Sequence, residues 1–310
     1  MRAEARFRAM GSDVHVVVVG GHPSSLDAAR ARIEVLEARW SRFRPSSEIS
    51  RLNAETGRPL RVSAETLALV THALDGAIVT GGLFDPTVLG DVIRAGYDHS
   101  LEPGVVANAD ADPSLGRGFE RVFVDAASSS VTLPRGVGFD PGGIGKGLAA
   151  DLVAEELISR GAAGVCVNVG GDLRVEGVGP DGGAWVVAVE DPLAPVPVAA
   201  VALSSGAVAT SARTRRTFGG GRHHLIDPRD GGSARSGLLA STVISGRGWR
   251  AEVLAKAAFV AGVRDGLALA SRFGAEALLV DDGGERHTTD GFARFATGVE
   301  RSPRREVPVG

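Results

Sequence analysis

Phe139-Asp140-Pro141-Gly142-Gly143-Ile144-Gly145-Lys146-Gly147 is the glycine-rich stretch of this chain, and it runs directly into the helical pattern Leu148-Ala149-Ala150-Asp151. Clustered glycines let backbone N–H groups approach a ligand, and a helix that starts there turns its positive end toward the same point. Lys146 adds a positive charge. The stretch therefore favours a site for a phosphate or another anion, although a strand-to-helix turn with a solvated Lys146 explains the same residues.

Two well-known nucleotide loops fit the glycine-rich stretch poorly. Gly145-x-Gly147-x-x-Ala150 matches the loose dinucleotide fingerprint, but the apolar run 137–139 before it is too short for a convincing strand. A Walker A loop needs glycine at Asp140 and serine or threonine at Gly147. Neither a Rossmann domain nor a P-loop is predicted.

The composition describes a soluble globular protein. The 310 residues are 44% hydrophobic and 23% charged, enough to bury the core of one large domain or of two intimate ones. The net charge of -3 provides no basic field for nucleic acid. A single cysteine, Cys166, excludes an internal disulfide.

The sequence also predicts where the protein is located and where its domain begins and ends. Residues 1–8 contain no apolar segment, and no later run is long enough to span a bilayer, so we expect a cytoplasmic protein without a membrane partner. No linker or repeat interrupts the chain. We expect one continuous domain over residues 1–300 and a polar tail over 301–310.

Hydrophobic periodicity and capping residues predict alternating strands and helices. Ser63 is expected to cap a helix, and Ser47 offers the same explanation for the polar run Phe43–Asn53, which otherwise has the character of a functional loop. The predicted strands are 13–19, 121–125, 130–133, 164–169, 185–190, 196–203 and 276–280. The predicted helices follow Ser63, Lys146 and Trp249, and a further helix is expected to be capped by Ser24 or Ser25. Residues 101–117 are expected to form a surface excursion.

Two short acidic segments carry polar groups at turns. Pro86 holds Asp85 extended in Phe84-Asp85-Pro86-Thr87, so that a carboxylate and a hydroxyl are presented together. Asn168–Asp172 is a second glycine-rich turn that closes on an acid. Local backbone hydrogen bonding is the simpler explanation for Asp85 and Thr87.

Two later segments carry basic groups. Ala209–Arg216 combines hydroxyls with guanidiniums, which suits phosphate oxygens, although a basic turn pointing at water is an equal alternative. His223–Gly231 contains His224, which can exchange a proton near neutral pH. Metal-binding spacing such as H-E-x-x-H is absent, and so is a G-x-S-x-G nucleophile elbow.

Taken together in this order and spacing, the segments resemble the FAD:protein FMN transferases, the ApbE family. The similarity extends from Met10 to Gly262. It is carried by Met10-Gly11-Ser12, Phe43–Asn53, Phe84–Thr87, Asp140–Asp151, Asn168–Asp172, Ala209–Arg216 and His224–Gly231.

The resemblance implies an α+β fold of mixed sheets and packed helices with an FAD cleft. It also implies transfer of the FMN half of FAD onto a serine or threonine of an acceptor protein, with release of AMP. By position, the implied contacts are Met10, Phe43, Asp85, Thr87 and Asp172 for the flavin pocket and Lys146, Ser211 and Arg215 for the phosphates. His224 is the implied proton acceptor.

The chain departs from the family pattern at several of these positions. Where the family has roughly Ala-Asp-x-x-x-Thr, whose Asp and Thr help to hold a divalent ion, this chain has Ala251-Glu252-x-x-x-Lys256. A charged lysine is not a metal ligand. We therefore predict catalytic roles for Glu252 and Lys256, in which the Lys256 ammonium pairs with Glu252 and takes the place of the ion. No residue is predicted to be a metal ligand, and a requirement for magnesium is doubtful. An ordinary ion pair between residues four apart on a helix is the alternative.

Other departures are smaller. Phe43 lacks the hydroxyl of the family's usual tyrosine, and Ala212 and Thr214 replace Gly and Tyr in the Ser-Gly-x-Tyr pattern. Because of these changes two further functions stay open beside FMN transfer: an FAD-binding protein without catalysis, and an FAD pyrophosphatase in which water replaces the acceptor. The sequence names no acceptor protein.

Overall fold

The computed structural model describes residues 2–98 and 112–297. Within these residues the helices are α1 Ser25–Trp40, α2 Glu48–Ala54, α3 Ala64–Val79, α4 Leu89–Ala95, α5 Gly145–Ser159, α6 Gly248–Ala261 and α7 Val263–Arg272. The strands are β1 Arg2–Ala9, β2 Ser12–Val19, β3 Leu60–Arg61, β4 Phe123–Asp125, β5 Ser130–Thr132, β6 Gly164–Val169, β7 Asp172–Gly177, β8 Trp185–Glu190, β9 Pro197–Leu203, β10 Ser205–Ala212, β11 Thr217–Phe218, β12 Arg222–His223, β13 Leu238–Ser245, β14 Glu276–Asp281, β15 Arg286–Thr288 and β16 Ala296–Thr297.

An eight-stranded antiparallel sheet forms the centre of the molecule, in the order β1-β2-β6-β7-β10-β13-β14-β15. Side chains alternate between its two faces. Val16 and Val167 pack with α1 and α5 on one face. Val175 and Val208 pack with the small sheet β16-β9-β8 on the other face. The expected α+β class is confirmed, and the antiparallel order agrees with the rejection of a Rossmann domain.

Most of the predicted elements are present. The strands expected at 164–169 and 185–190 have these bounds in the structure, and the hairpin expected before the glycine-rich stretch is formed by β4 and β5. The caps predicted at Ser47 and Ser63 are confirmed: the Ser47 hydroxyl accepts a hydrogen bond from the N–H of Ser50 at 2.9 Å, and that of Ser63 accepts from Thr66 at 3.3 Å. The cap predicted at Ser24 or Ser25 is not formed, since Ser24 makes no side-chain capping hydrogen bond and Ser25 is the first residue of α1. Most of the surface excursion and all of the polar tail lie outside the described residues.

Several elements were not predicted, among them β1, β7, β10, β13, α4 and α7. The expected turn at 209–216 is in fact the end of strand β10 as far as Ala212, followed by a turn. β10 consists of small residues and therefore lacks a strand pattern of large apolar side chains. Its Ala207 and Ala209 lie directly against the alanines Ala251 and Ala255 of α6, so the small residues allow a helix to approach the sheet closely.

Helices α5 and α6 start side by side, and each supplies a carboxylate to the first turn of the other. Asp151 of α5 accepts from the N–H of Gly248 at 2.8 Å and of Trp249 at 3.1 Å, while Glu252 of α6 accepts from the N–H of Gly147 at 2.8 Å. Free N–H groups at helix starts need such acceptors. This reciprocal capping fixes the two helix starts against each other.

The close approach of the two helices explains the glycine at 147. A Cβ atom there would lie 2.3 Å from the carbonyl oxygen of Gly248, so we expect Gly147→Ala to force the helices apart and to lower the free energy of unfolding by about 1–3 kcal/mol. Denaturant unfolding tests this, with Gly183→Ala, whose Cβ would meet nothing within 4 Å, as control. Equal stability of the two variants would contradict the account of the helix contact.

Candidate active site

A cleft opens between the glycine-rich stretch, the loop after α1 and the turn after β10. It has an empty volume of about 820 Å³, solvent at its mouth included. Met10, Phe43 and Lys146, three of the predicted cofactor residues, line it. The structure therefore brings these three together although they are distant in sequence.

Aromatic rings and arginines form one wall of the cleft. The ring of Phe43 lies 5.6 Å from that of Tyr97, and the guanidinium carbon of Arg42 lies 4.2 Å and 4.6 Å from these two ring centres. Arg216 lies over Tyr97 at 5.2 Å. Stacked rings and guanidiniums of this kind suit a planar aromatic ligand.

Sequence reasoning missed Tyr97, Arg42 and Arg216. Tyr97 is brought to the cleft by the end of α4, where the C-capping residue Gly96 has a left-handed φ of 111°. It is the only tyrosine of the chain, a signal that was available before the structure. Nothing in the pattern around Arg42 distinguishes it from the other arginines.

The start of the glycine-rich stretch is fixed by hydrogen bonds to residues of two preceding segments. Asn53 bonds the backbone of Phe139 twice, accepting from its N–H at 2.7 Å and donating to its carbonyl at 2.9 Å. The carbonyl of Pro86 accepts from the N–H of Asp140 at 2.8 Å. These contacts fix where helix α5 begins.

Lys146 lies at the inner side of the cleft between two buried carboxylates. Its ammonium contacts Asp172 and lies 3.1 Å from Glu252 Oε1. These contacts engage two of its three N–H groups among the residues that the structure describes, which leaves one donor for a ligand. The side chain is 18% exposed, so this donor can reach the cleft.

A second, smaller pocket of about 350 Å³ adjoins the cleft at Asp140, which lines both. It is lined by His224 and Lys256, together with Asp85. Three predicted residues from separate parts of the sequence thus share one pocket. We call it the inner pocket.

His224 is neutral in this environment. Burial lowers the pKa of His224 well below its usual value, and the positive charges of Lys256 and Arg216 lower it further. Its Nδ1 atom is buried and has no hydrogen-bond partner within residues 2–98 and 112–297. A neutral imidazole can accept a proton, and His224 lines the inner pocket.

Lys256 lies across the inner pocket from the carbonyl groups of the glycine-rich stretch. Its Nζ is 3.4 Å from the carbonyl oxygen of Gly142. Burial lowers the pKa of Lys256 to about 8, against the opposing effect of the carboxylates Glu252 and Asp140. The group is therefore charged at neutral pH and loses its charge as the pH rises through about 8.

The expected ion pair between Glu252 and Lys256 is not formed: no such contact within 4.0 Å occurs in the described part of the chain. Glu252 instead contacts Lys146 and the N–H of Gly147, because it faces the start of α5. It is a positioning residue in this arrangement. An ammonium also fills the place opposite Gly142, so the residues present do not fit a divalent ion there.

The other predicted residues are placed as follows. Asp85 Oδ1 accepts from the N–H of Thr87 at 2.7 Å and from its hydroxyl at 2.6 Å, and burial raises the pKa of Asp85. Thr87 is fully buried and holds this turn together. Ser211 is buried on β10 and is not among the lining residues of either pocket.

Arg215 does not reach the cleft. It pairs with Glu190 at the surface, where 65% of its side chain is exposed, and its neighbour Arg216 lines the cleft instead. The two consecutive arginines both lie in the turn between β10 and β11, and they point to different sides of the chain. The candidate phosphate-binding arginine is thus Arg216.

Comparison with known proteins identifies the family of the chain. The model of the ApbE family matches residues 10–279 of the chain. The chain belongs to the ApbE family. The FAD:protein FMN transferase of Vibrio cholerae serotype O1 is 30% identical over 275 residues, which cover 85% of this chain and 82% of that protein.

Solved ApbE structures share the fold over nearly the whole chain. The ApbE protein of Thermotoga maritima has a TM-score of 0.85 at 28% identity and covers 96% of this chain and 100% of its own. The Pseudomonas stutzeri flavinyl transferase ApbE in its apo form has a TM-score of 0.81 at 27% identity, over 96% and 98% of the two chains. The matched range includes all residues of the cleft and of the inner pocket. In the described residues, no helix is long and apolar enough to cross a membrane.

Proposed function

We propose that this ApbE protein is an FAD:protein FMN transferase, which moves FMN from FAD onto a serine or threonine hydroxyl of an acceptor protein and releases AMP. The observation that carries the proposal is the inner pocket, where a neutral histidine and a buried ammonium adjoin a cleft walled by aromatic rings. Ring binding, charge neutralisation and proton acceptance are the three tasks of the reaction. Residues for each are present.

FAD binding is assigned to the cleft. Phe43, Tyr97 and Arg42 offer planar groups to one of its ring systems. The free donor of Lys146 and the guanidinium of Arg216 are the cleft's contacts for the pyrophosphate. Met10 borders the same space.

The chemical step is attack by the acceptor hydroxyl oxygen on the flavin-side phosphorus. The new bond joins that oxygen to phosphorus, and the bond between the phosphorus and the bridging oxygen of AMP breaks. The hydroxyl proton passes to His224, which is neutral and lines the inner pocket. AMP leaves with the bridging oxygen, so atoms and charge balance.

Lys256 stabilises the charge that develops on the phosphates. A fixed positive group aimed at the reacting phosphoryl oxygens lowers the barrier without reorganisation during the reaction. Since Lys256 stands at the sequence position where the family pattern has a threonine that helps to hold a divalent ion, no step of the proposed reaction uses a metal. The cytoplasmic location stays a prediction of the sequence.

Product analysis tests the proposal against the two alternatives. The purified protein is incubated with FAD and a library of peptides that share one central threonine, and AMP, free FMN and peptide-bound flavin are quantified. A transferase gives AMP and flavinylated peptide together. Free FMN without peptide-bound flavin would establish a pyrophosphatase, and intact, protein-bound FAD would establish a binding protein.

A further inference from the structure

A large groove lies on the opposite face of the central sheet from α5 and α6. It has an empty volume of about 1060 Å³, solvent at its mouth included. Leu173, Val187 and Val208 provide its apolar floor, and Thr210 and Thr214 lie on its side. We call it the Thr214 groove.

The Thr214 groove adjoins the candidate active site around the ends of the central strands β6, β7 and β10. Gly170, in the turn between β6 and β7, lines the groove, and a Cβ atom on it would lie 3.6 Å from Cδ of Lys146. Arg215 lines the groove and the next residue, Arg216, lines the cleft. A polypeptide bound in the groove therefore reaches, at one end of the groove, the candidate phosphate-binding residues Lys146 and Arg216.

The strand that separates the two sites has an open edge. Pairing of β10 with β7 stops at Val208, opposite Leu173, whereas pairing with β13 continues to Ala212. The other edge of 209–212 has no strand partner in the residues that the structure describes. Such an edge can pair with an extended segment of another protein.

The charges of the groove favour a neutral polypeptide over the pyrophosphate of FAD. Its acidic residues are already paired, Glu190 with Arg215 and Asp191 with Arg286. No net positive field is left to attract phosphate. An apolar floor between paired charges suits small apolar side chains.

The groove also contains two of the departures from the family pattern. Ala212 and Thr214, which stand in place of Gly and Tyr in Ser-Gly-x-Tyr, both line it. Thr214 is small and exposed, so it leaves space in the groove that a tyrosine ring would partly fill. Recognition in this groove would accordingly be particular to this chain.

We propose that the Thr214 groove holds the segment of the acceptor protein that flanks the flavinylated threonine or serine. The segment pairs with the open edge of β10. Because side chains alternate along a strand, the acceptor hydroxyl then points to the Lys146 side, and the residues directly before and after it point to the apolar floor. Small apolar residues are expected at these two positions. This proposal rests on the proposed function.

The test uses a peptide library with a fixed threonine and random flanking residues, from which flavinylated peptides are selected and sequenced. We expect apolar residues to be enriched directly before and after the threonine. Thr214→Tyr and Val187→Lys should lower kcat/KM for a selected peptide by about tenfold or more, comparable to losing one good apolar contact. Val186→Lys, on the exposed outer face of β8, is the matched control.

Two further readouts separate the possible failures. Transfer to N-acetylthreonine amide, which is too small to occupy the groove, and the dissociation constant of FAD should be unchanged in all three variants. A changed FAD affinity in Thr214→Tyr, or equal peptide kinetics in Val187→Lys and Val186→Lys, would overturn the groove proposal alone. Absence of AMP with either kind of acceptor would overturn the proposed function, and the groove proposal with it.

Discussion

Replacement of His224 by glutamine is expected to lower the rate of FMN transfer by about 10²- to 10⁴-fold, the usual contribution of a general base. His224 lines the inner pocket, and burial keeps the pKa of His224 low enough for the ring to be neutral. Glutamine retains most of the side-chain volume but accepts no proton at neutral pH. The dissociation constant of FAD should stay within about twofold, since the proposed FAD contacts lie in the cleft.

His72 provides the control for this substitution. It also has a buried, unpartnered Nδ1 in the described residues and a lowered pKa, chiefly through burial, but it stacks on Trp249 and lines neither pocket. We expect His72→Gln to transfer FMN at the parent rate. If His224→Gln does the same while binding FAD normally, His224 is not the proton acceptor.

Removal of the Lys256 charge is expected to have the second-largest effect. Lys256→Met should lower the transfer rate by about 10²- to 10³-fold, as does the loss of one donor to a developing oxyanion. The reason is that the methyl-terminated side chain keeps the volume opposite Gly142 and removes the ammonium. Transfer kinetics at pH 7 with saturating FAD measure the effect.

The pH dependence follows from the same group. The pKa of Lys256 is about 8, so the ammonium is present below this pH and is lost above it, and kcat/KM should fall as the pH rises through about 8. The profile of kcat/KM reports the free enzyme. In Lys256→Met this limb of the profile should be absent. A parent profile that stays flat to pH 10 would show that the charge of Lys256 is not used.

The paired variant Lys256→Thr with Glu252→Asp tests the same idea in reverse. It restores the family pattern Ala-Asp-x-x-x-Thr and should make transfer dependent on added magnesium, whereas the parent should ignore a chelator. Glu252→Asp alone serves as its control, because it shortens the side chain that contacts Lys146 and Gly147 without creating the threonine ligand. A double variant that remains indifferent to chelator would contradict the view that Lys256 replaces an ion.

The fold was predictable where large apolar residues recur with a clear period. β2, with its run of valines, and the helices capped by Ser47 and Ser63 are such cases. β10 is not such a case, because small residues that let a helix approach a sheet resemble loop residues in a sequence, whereas α6 begins at Gly248, next to the predicted Trp249. The reciprocal carboxylate caps of Asp151 and Glu252 in turn depend on the close approach of helices α5 and α6.

The site was predictable where a motif carries its own chemistry, as at Lys146 and His224. Partners chosen by the tertiary structure were not: the spacing of Glu252 and Lys256 predicts a helical ion pair, but Lys146 contacts Glu252 from another helix. Arg215 and Arg216 are alike in sequence, and only the turn after β10 decides which one faces the cleft.

Intact-mass measurement of an acceptor peptide, together with the amount of AMP released in the presence of chelator, tests the central claim most directly. The account predicts that the peptide gains the mass of one FMN, less water, for each AMP that appears, and that chelator leaves the yield unchanged. A peptide that carries the adenylate half of FAD, or an unmodified peptide beside free FMN, would contradict it.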